Sequence, residues 1–123
     1  MSLKKIAILF SGEGSNLENL IIKLHQKNAI VVAAITNNPH AKGIQKAENL
    51  GIEVKILNHK EFDSRELFDT KLVEIIQSLN VDLTVLAGFM RILTPIFTDQ
   101  IKAINIHPSL LPLFKGAIAK DGC

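Results

Sequence analysis

Short continuous apolar runs alternate along this chain with stretches whose apolar residues recur every three or four positions. Residues 6–10 (IAILF) are apolar throughout and stop at Ser11 and Gly12. A run of that length predicts a strand buried on both faces, the habit of a parallel sheet. Leu17, Leu20, Ile21 and Leu24 follow at i, i+3, i+4 and i+7, a helical stripe. Ser15, with Glu18 three residues on, has capping-box spacing for that helix. Residues 30–36 (IVVAAIT) predict a second strand, and Asn37, Asn38, Pro39 and His40 a loop. Residues 44–50 predict a short helix closed by Gly51, and residues 52–57 a third strand. After a polar connection, Asp63 with Glu66 is expected to cap a third helix. Its stripe of Phe68, Leu72, Val73, Ile75, Ile76 and Leu79 is the strongest helical pattern in the chain. Residues 83–87 (LTVLA) predict a fourth strand ending at Gly88, a helical piece follows Pro95, and residues 103–106 predict a fifth strand. No clean periodicity marks the residues after Pro112.

Strands alternating with helices predict an α/β fold: a doubly wound, mostly parallel sheet with right-handed crossovers. No repeat or linker interrupts it, so residues 1–123 are expected to form a single domain. Composition narrows the function. The net charge is +2 and the basic residues are scattered, which leaves no electrostatic footprint for nucleic acid. No apolar run approaches the roughly 20 residues that span a bilayer, and because the first residues lead straight into a predicted strand, no signal peptide is expected. Cys123 is the one cysteine, so no internal disulfide forms and a reducing, cytoplasmic setting is expected. No Cys/His spacing resembles a zinc site, so no metal is expected.

Three stretches carry candidate chemistry. The first strand–helix turn contains Gly12, Gly14, Ser15 and Asn16. Backbone N–H groups at a helix start bind anions, and glycines let a phosphate come close. A dinucleotide fingerprint would want a glycine where Leu17 stands and an acid where Asn37 and Asn38 stand, so a nicotinamide cofactor is disfavoured. A phosphate monoester fits better, although a tight turn without a ligand would look similar. After the fourth strand come Gly88, Phe89, Met90, Arg91, Ile92 and Leu93. Arg91 suits a carboxylate or phosphate, and Met90, Ile92 and Leu93 suit a slot for a flat ring. Alternatively Arg91 is a surface charge among core residues, and Arg65 has the same ambiguity. In the third stretch, Asn105 and His107 stand two residues apart before Pro108, on one side of an extended backbone. An amide and an imidazole there, at the carboxyl edge of a sheet, make a donor pair for a reacting carbonyl. His25 and His59 are expected to be solvated, and His40 has no assigned role.

The segments SGEGSNL, FDSRE, LAGFMRIL and INIHPSLLP, in this order, resemble the phosphoribosylglycinamide formyltransferases of the folate-dependent formyltransferase family. The resemblance implies a Rossmann-like formyltransferase fold and transfer of a formyl group from 10-formyltetrahydrofolate to the amine of 5′-phosphoribosylglycinamide in purine synthesis. It implies that Gly14, Ser15 and Asn16 hold the substrate phosphate. Arg65, Met90, Arg91, Ile92, Leu93 and Asn105 would contact the folate. Asn105 would bind the formyl oxygen, and His107 would be the general acid. Such enzymes continue beyond this length and add an Asp that keeps the catalytic His protonated, and Asp121 is not a candidate for that part. The 123-residue chain is accordingly expected to be C-terminally incomplete, with little or no transfer activity, an uncovered sheet edge, and a monomeric or weakly dimeric state. Competing readings are a methionyl-tRNA formyltransferase, a formyltetrahydrofolate deformylase, or a non-catalytic phosphate-binding α/β domain.

Overall fold

A computed structural model of the chain describes residues 3–106. Five parallel strands form one sheet in the order β3-β2-β1-β4-β5. They are β1 (Lys4–Phe10), β2 (Ala29–Thr36), β3 (Val54–Ile56), β4 (Leu83–Leu86) and β5 (Ala103–Asn105). Helices α1 (Ser15–Leu24), α2 (Gly43–Asn49), α3 (Arg65–Ser78) and α4 (Pro95–Thr98) lie between them. The doubly wound parallel sheet predicted from the alternation is therefore the observed one.

Two cores explain why the central strand is apolar throughout. Ile6, Ile8 and Phe10 of β1 pack with Leu17, Leu20 and Ile21 of α1 and Ala47 of α2. Leu9 points the other way, to Phe68, Leu72, Val73 and Ile76 of α3 and Phe97 of α4. Side chains alternate across a strand, so burial on both faces needs an uninterrupted apolar run. Each fully buried side chain such as Leu72 contributes about 1.5–3 kcal/mol. The pairing of β1 with β2 shifts register between Ile6 and Ala7: Ile6 stands opposite Val31, but Ala7 stands opposite Ala33. Val31 before the shift and Ala34 after it consequently reach the same core. A bulge of this kind changes which residues face which side, and no periodicity reveals it.

Several boundaries differ from expectation. The third strand covers Val54–Ile56 rather than residues 52–57, because Ile52 is bonded back to Ala47 and Leu57 to Thr36 outside the regular ladder. The polar connection contains a 3₁₀ turn, His59–Glu61, started by the Asn58 side chain accepting from the Lys60 N–H at 3.0 Å. Helix α3 is capped by Ser64, whose Oγ accepts from the Leu67 N–H at 3.1 Å, not by Asp63. Its far end closes at Leu79, beyond which Asn80 takes φ 54°. Helix α1 has no capping box: Gly14 occupies the cap with φ 80°, and Ser15 is already helical. The two histidines expected to be solvated are half-buried and bonded. His25 Nδ1 accepts from the Val31 N–H at 3.0 Å, and His59 Nδ1 donates to the Asn37 carbonyl at 3.0 Å.

Candidate functional site

In the observed strand order, β2 and β3 run to one side of β1 and β4 and β5 to the other. The chain therefore changes direction between β1 and β4, and a crevice opens at their carboxyl ends. A cleft of about 310 Å³ occupies that place, lined by Gly12, Glu13, Gly14, Ser15, Asn16, Ala87, Gly88 and Met90. Two of the three stretches nominated from sequence thus meet, although more than 70 residues separate them along the chain. Other hollows are of similar size, so volume does not decide between them. One of about 310 Å³ includes Asn80, Asp82, Gln100 and Lys102 at the amino edge of the sheet. Another, about 270 Å³, is lined largely by apolar residues of α1, β1, β4 and β5, and a third, about 320 Å³, lies beside Lys4, Lys5 and Asp82. Of these, among the described residues, the cleft beside Gly12 and Gly88 combines a switch-point position with backbone donors.

Those donors come from α1. Among the described residues no side chain caps this helix, so none competes for the N–H groups of its first turn. They sit where an anion is stabilised by both hydrogen bonds and helix dipole. The two glycines before it do different work. A Cβ at Gly12 would meet nothing within 4 Å, whereas a Cβ at Gly14 would lie 2.4 Å from Gly43 Cα. Gly14 therefore lets the turn pack against the start of α2, a constraint that ligand-based reasoning missed. Gly43 is itself crowded: a Cβ there would lie 2.6 Å from the Phe10 ring and 3.0 Å from Gly14 Cα. Glu13 puts a carboxylate in the lining, paired at 3.7 Å with Lys42 in an exposed ion pair.

The loop after β4 divides its residues. Met90 lines the cleft and is 80% exposed; Ile92 is 69% exposed. Leu93 does not join them in a slot but packs on the α3 core, because the chain turns inward there toward α4. Arg91 is half-buried, its Cζ 4.7 Å above the Phe68 ring, which itself meets Phe62 edge-on with centroids 5.6 Å apart. Arg65 is exposed at the first position of α3. Asn105 ends β5 exposed, opposite Leu86, two residues before Gly88. His107, and the tail that includes Asp121, lie outside the described residues.

Polar residues that the sequence reading passed over hold this edge together. Ser11 Oγ accepts from the Met90 N–H at 2.7 Å and donates to Asn37 Oδ1 at 2.7 Å. Asn38 Nδ2 donates to the Ser11 carbonyl at 3.3 Å. Asp69, buried on the inner face of α3, accepts from both the N–H and hydroxyl of Thr94 at 2.6 Å. A signal for Asp69 existed: it stands three, four and seven residues before Leu72, Val73 and Ile76, on the apolar stripe. Among the described residues, no group of three or more His, Cys, Asp and Glu is placed to hold a metal, and no helix is long and apolar enough to cross a membrane.

Known proteins share this fold. A phosphoribosylglycinamide formyltransferase from Campylobacter jejuni superposes with a TM-score of 0.84 at 55% identity, over 94% of this chain and 64% of that one. The enzyme of the same name from Coxiella burnetii gives 0.81 at 37% identity, over 94% and 56%. The Haemophilus influenzae phosphoribosylglycinamide formyltransferase is 42% identical over 93% of this chain and 56% of its own length. The bovine trifunctional purine biosynthetic protein adenosine-3 is 41% identical over 95% of this chain and 12% of its own length. The chain thus spans little more than half of the single-function bacterial relative and a small part of the trifunctional one. Residues 4–121 match the formyl transferase family. With the Rossmann-like sheet and the cleft at its switch point, the chain belongs to the formyl transferase family.

Proposed function

We propose that the chain contributes to transfer of a formyl group from 10-formyltetrahydrofolate to the amine of 5′-phosphoribosylglycinamide, a step of purine synthesis. The observation that carries this reading is the cleft itself. It sets an uncapped helix start, suited to a phosphate, beside a loop that exposes two large apolar side chains, suited to a flat ring. Gly14, Ser15 and Asn16 hold the phosphate. Met90, Arg91, Ile92 and Leu93 form the pterin side, with Leu93 acting from the core. Arg65 takes the anionic tail of the folate. Its position supports this role, because a cation in the first turn of a helix opposes the dipole and does nothing for the helix itself. The modest charge of the chain favours small substrates over nucleic acid, and its lone cysteine favours the cytoplasm.

In this reading the substrate amine attacks the formyl carbon, forming a C–N bond and an oxyanion. Asn105 donates to that oxygen. As the intermediate collapses, the bond from the formyl carbon to the folate nitrogen breaks, and the amine proton passes to that nitrogen with His107 as general acid. Removing one oxyanion donor costs about 2.7–4 kcal/mol of barrier. In a full-length protein that contains this chain, Asn105→Ala is therefore expected to lower kcat by about 10²–10³-fold with little change in KM. His107→Ala is expected to lower it by orders of magnitude. Calorimetric titration of the chain with phosphoribosylglycinamide should show saturable one-to-one binding. Absence of binding, or turnover unchanged in the Asn105 variant, would remove the corresponding assignment.

A further inference from the structure

We propose that Ser11, Asp69 and Thr94 are positioning residues that hold loop 88–94 as a preformed platform for the flat ring of the formyl donor. This rests on the function proposed above. At one end, the Ser11 hydroxyl is 6% exposed and its proton goes to Asn37 Oδ1, itself on a residue 4% exposed. Its lone pair is thereby turned to the Met90 N–H, 2.7 Å away. One hydroxyl thus ties the carboxyl ends of β1, β2 and β4. At the other end, Asp69 is 1% exposed, and its Oδ2 receives both the N–H and the hydroxyl of Thr94. The Thr94 Oγ also accepts from the Ile96 N–H at 3.3 Å, starting α4.

A carboxylate on the inner face of α3 is poor core material. Its Oδ1 is buried without a partner among the described residues, and an apolar residue would pack there at lower cost. What Asp69 does instead is fix Thr94. Between the two clamps lie Met90, 80% exposed, and Ile92, 69% exposed, with the Arg91 guanidinium stacked on Phe68 between them. Folding alone does not favour two large apolar side chains in water. A backbone restrained at both ends, displaying such side chains, lowers the ordering cost of binding an apolar ring. None of the three clamping residues need touch the ligand.

The test pairs amide hydrogen exchange on the ligand-free 123-residue chain with calorimetry, using 10-formyltetrahydrofolate and inorganic phosphate as probes. In the wild type, the Met90 and Thr94 amides should exchange slowly for loop positions. Ser11→Ala should release Met90 but not Thr94, and Thr94→Val should release Thr94 and Ile96 but not Met90, with the core amides of Ile8 and Leu72 unmoved. Each variant should weaken folate binding by about three- to tenfold, the worth of one hydrogen bond, and leave phosphate binding unchanged. Thr94→Ser, which keeps the hydroxyl, should restore both readouts. Unprotected Met90 and Thr94 amides in the wild type overturn the proposal, as does full folate affinity in variants whose protection is lost. A wild type with both amides protected but no folate uptake overturns the functional reading and the assigned ligand, while upholding the clamp.

Discussion

Replacing Gly14 by alanine tests how the turn of the cleft is built. The residue sits at φ 80°, and a Cβ there would stand 2.4 Å from Gly43 Cα and 3.3 Å from Gly43 N. Both atoms are backbone, so no rotamer change relieves the clash, and the start of α2 would have to shift. Left-handed backbone costs a non-glycine residue about 1–2 kcal/mol. Forcing a methyl into a filled space costs about 1–3 kcal/mol more. Alanine also reduces the entropy of the unfolded chain, offsetting about 0.4–1 kcal/mol. The net expectation for Gly14→Ala is a loss of about 2–4 kcal/mol, a large share of an ordinary domain's 5–15 kcal/mol. Gly12→Ala is the control: it has open space and no left-handed φ, so it should lie within about 0.5 kcal/mol of wild type. Urea unfolding followed by far-ultraviolet circular dichroism suits a chain with no Trp or Tyr. At about 1–3 kcal/mol per molar urea, the Gly14 variant should unfold at least about 0.7 M earlier. Equal midpoints for the two variants would refute the claim that Gly14 is needed for packing rather than only for ligand approach.

Three further outcomes follow from particular contacts. Ser64→Ala should cost about 1 kcal/mol in urea unfolding, as loss of an N-cap does, and Asp63→Ala almost nothing; the reverse order would return the cap to Asp63. Glu13→Gln should tighten binding of inorganic phosphate or phosphoribosylglycinamide at low salt by removing a like charge from the cleft, with the gain shrinking as salt rises; a salt-independent change would point away from electrostatics. Arg65→Ala should weaken 10-formyltetrahydrofolate binding in calorimetry yet leave stability within about 0.5 kcal/mol, since the side chain is exposed at a helix end; loss of stability with unchanged binding would assign it to the fold instead.

The pattern of residues 6–10, 30–36 and 83–87 by itself determined the parallel sheet, because strands covered on both faces must be apolar at every position. The stripe of α3 and the motif GEGSN, with glycines before a helix, likewise placed the third helix and the turn that opens α1. Local chemistry of this kind acts over a few residues and leaves its mark in order along the chain. What only the tertiary structure decided are contacts between residues far apart in sequence. Among these are Gly14 against Gly43, Ser11 joining Asn37 to Met90, and Asp69 reaching Thr94. Arg91 shows the difference most clearly. Its sequence neighbours suggested a free guanidinium for an anion, but its stack on Phe68 comes from an α3 residue 23 positions earlier. The strand order that puts β1 beside β4, and so creates the cleft, is also a property of the assembled sheet. Periodicity reports which face of an element is buried; it carries no information about which distant residue fills the space opposite.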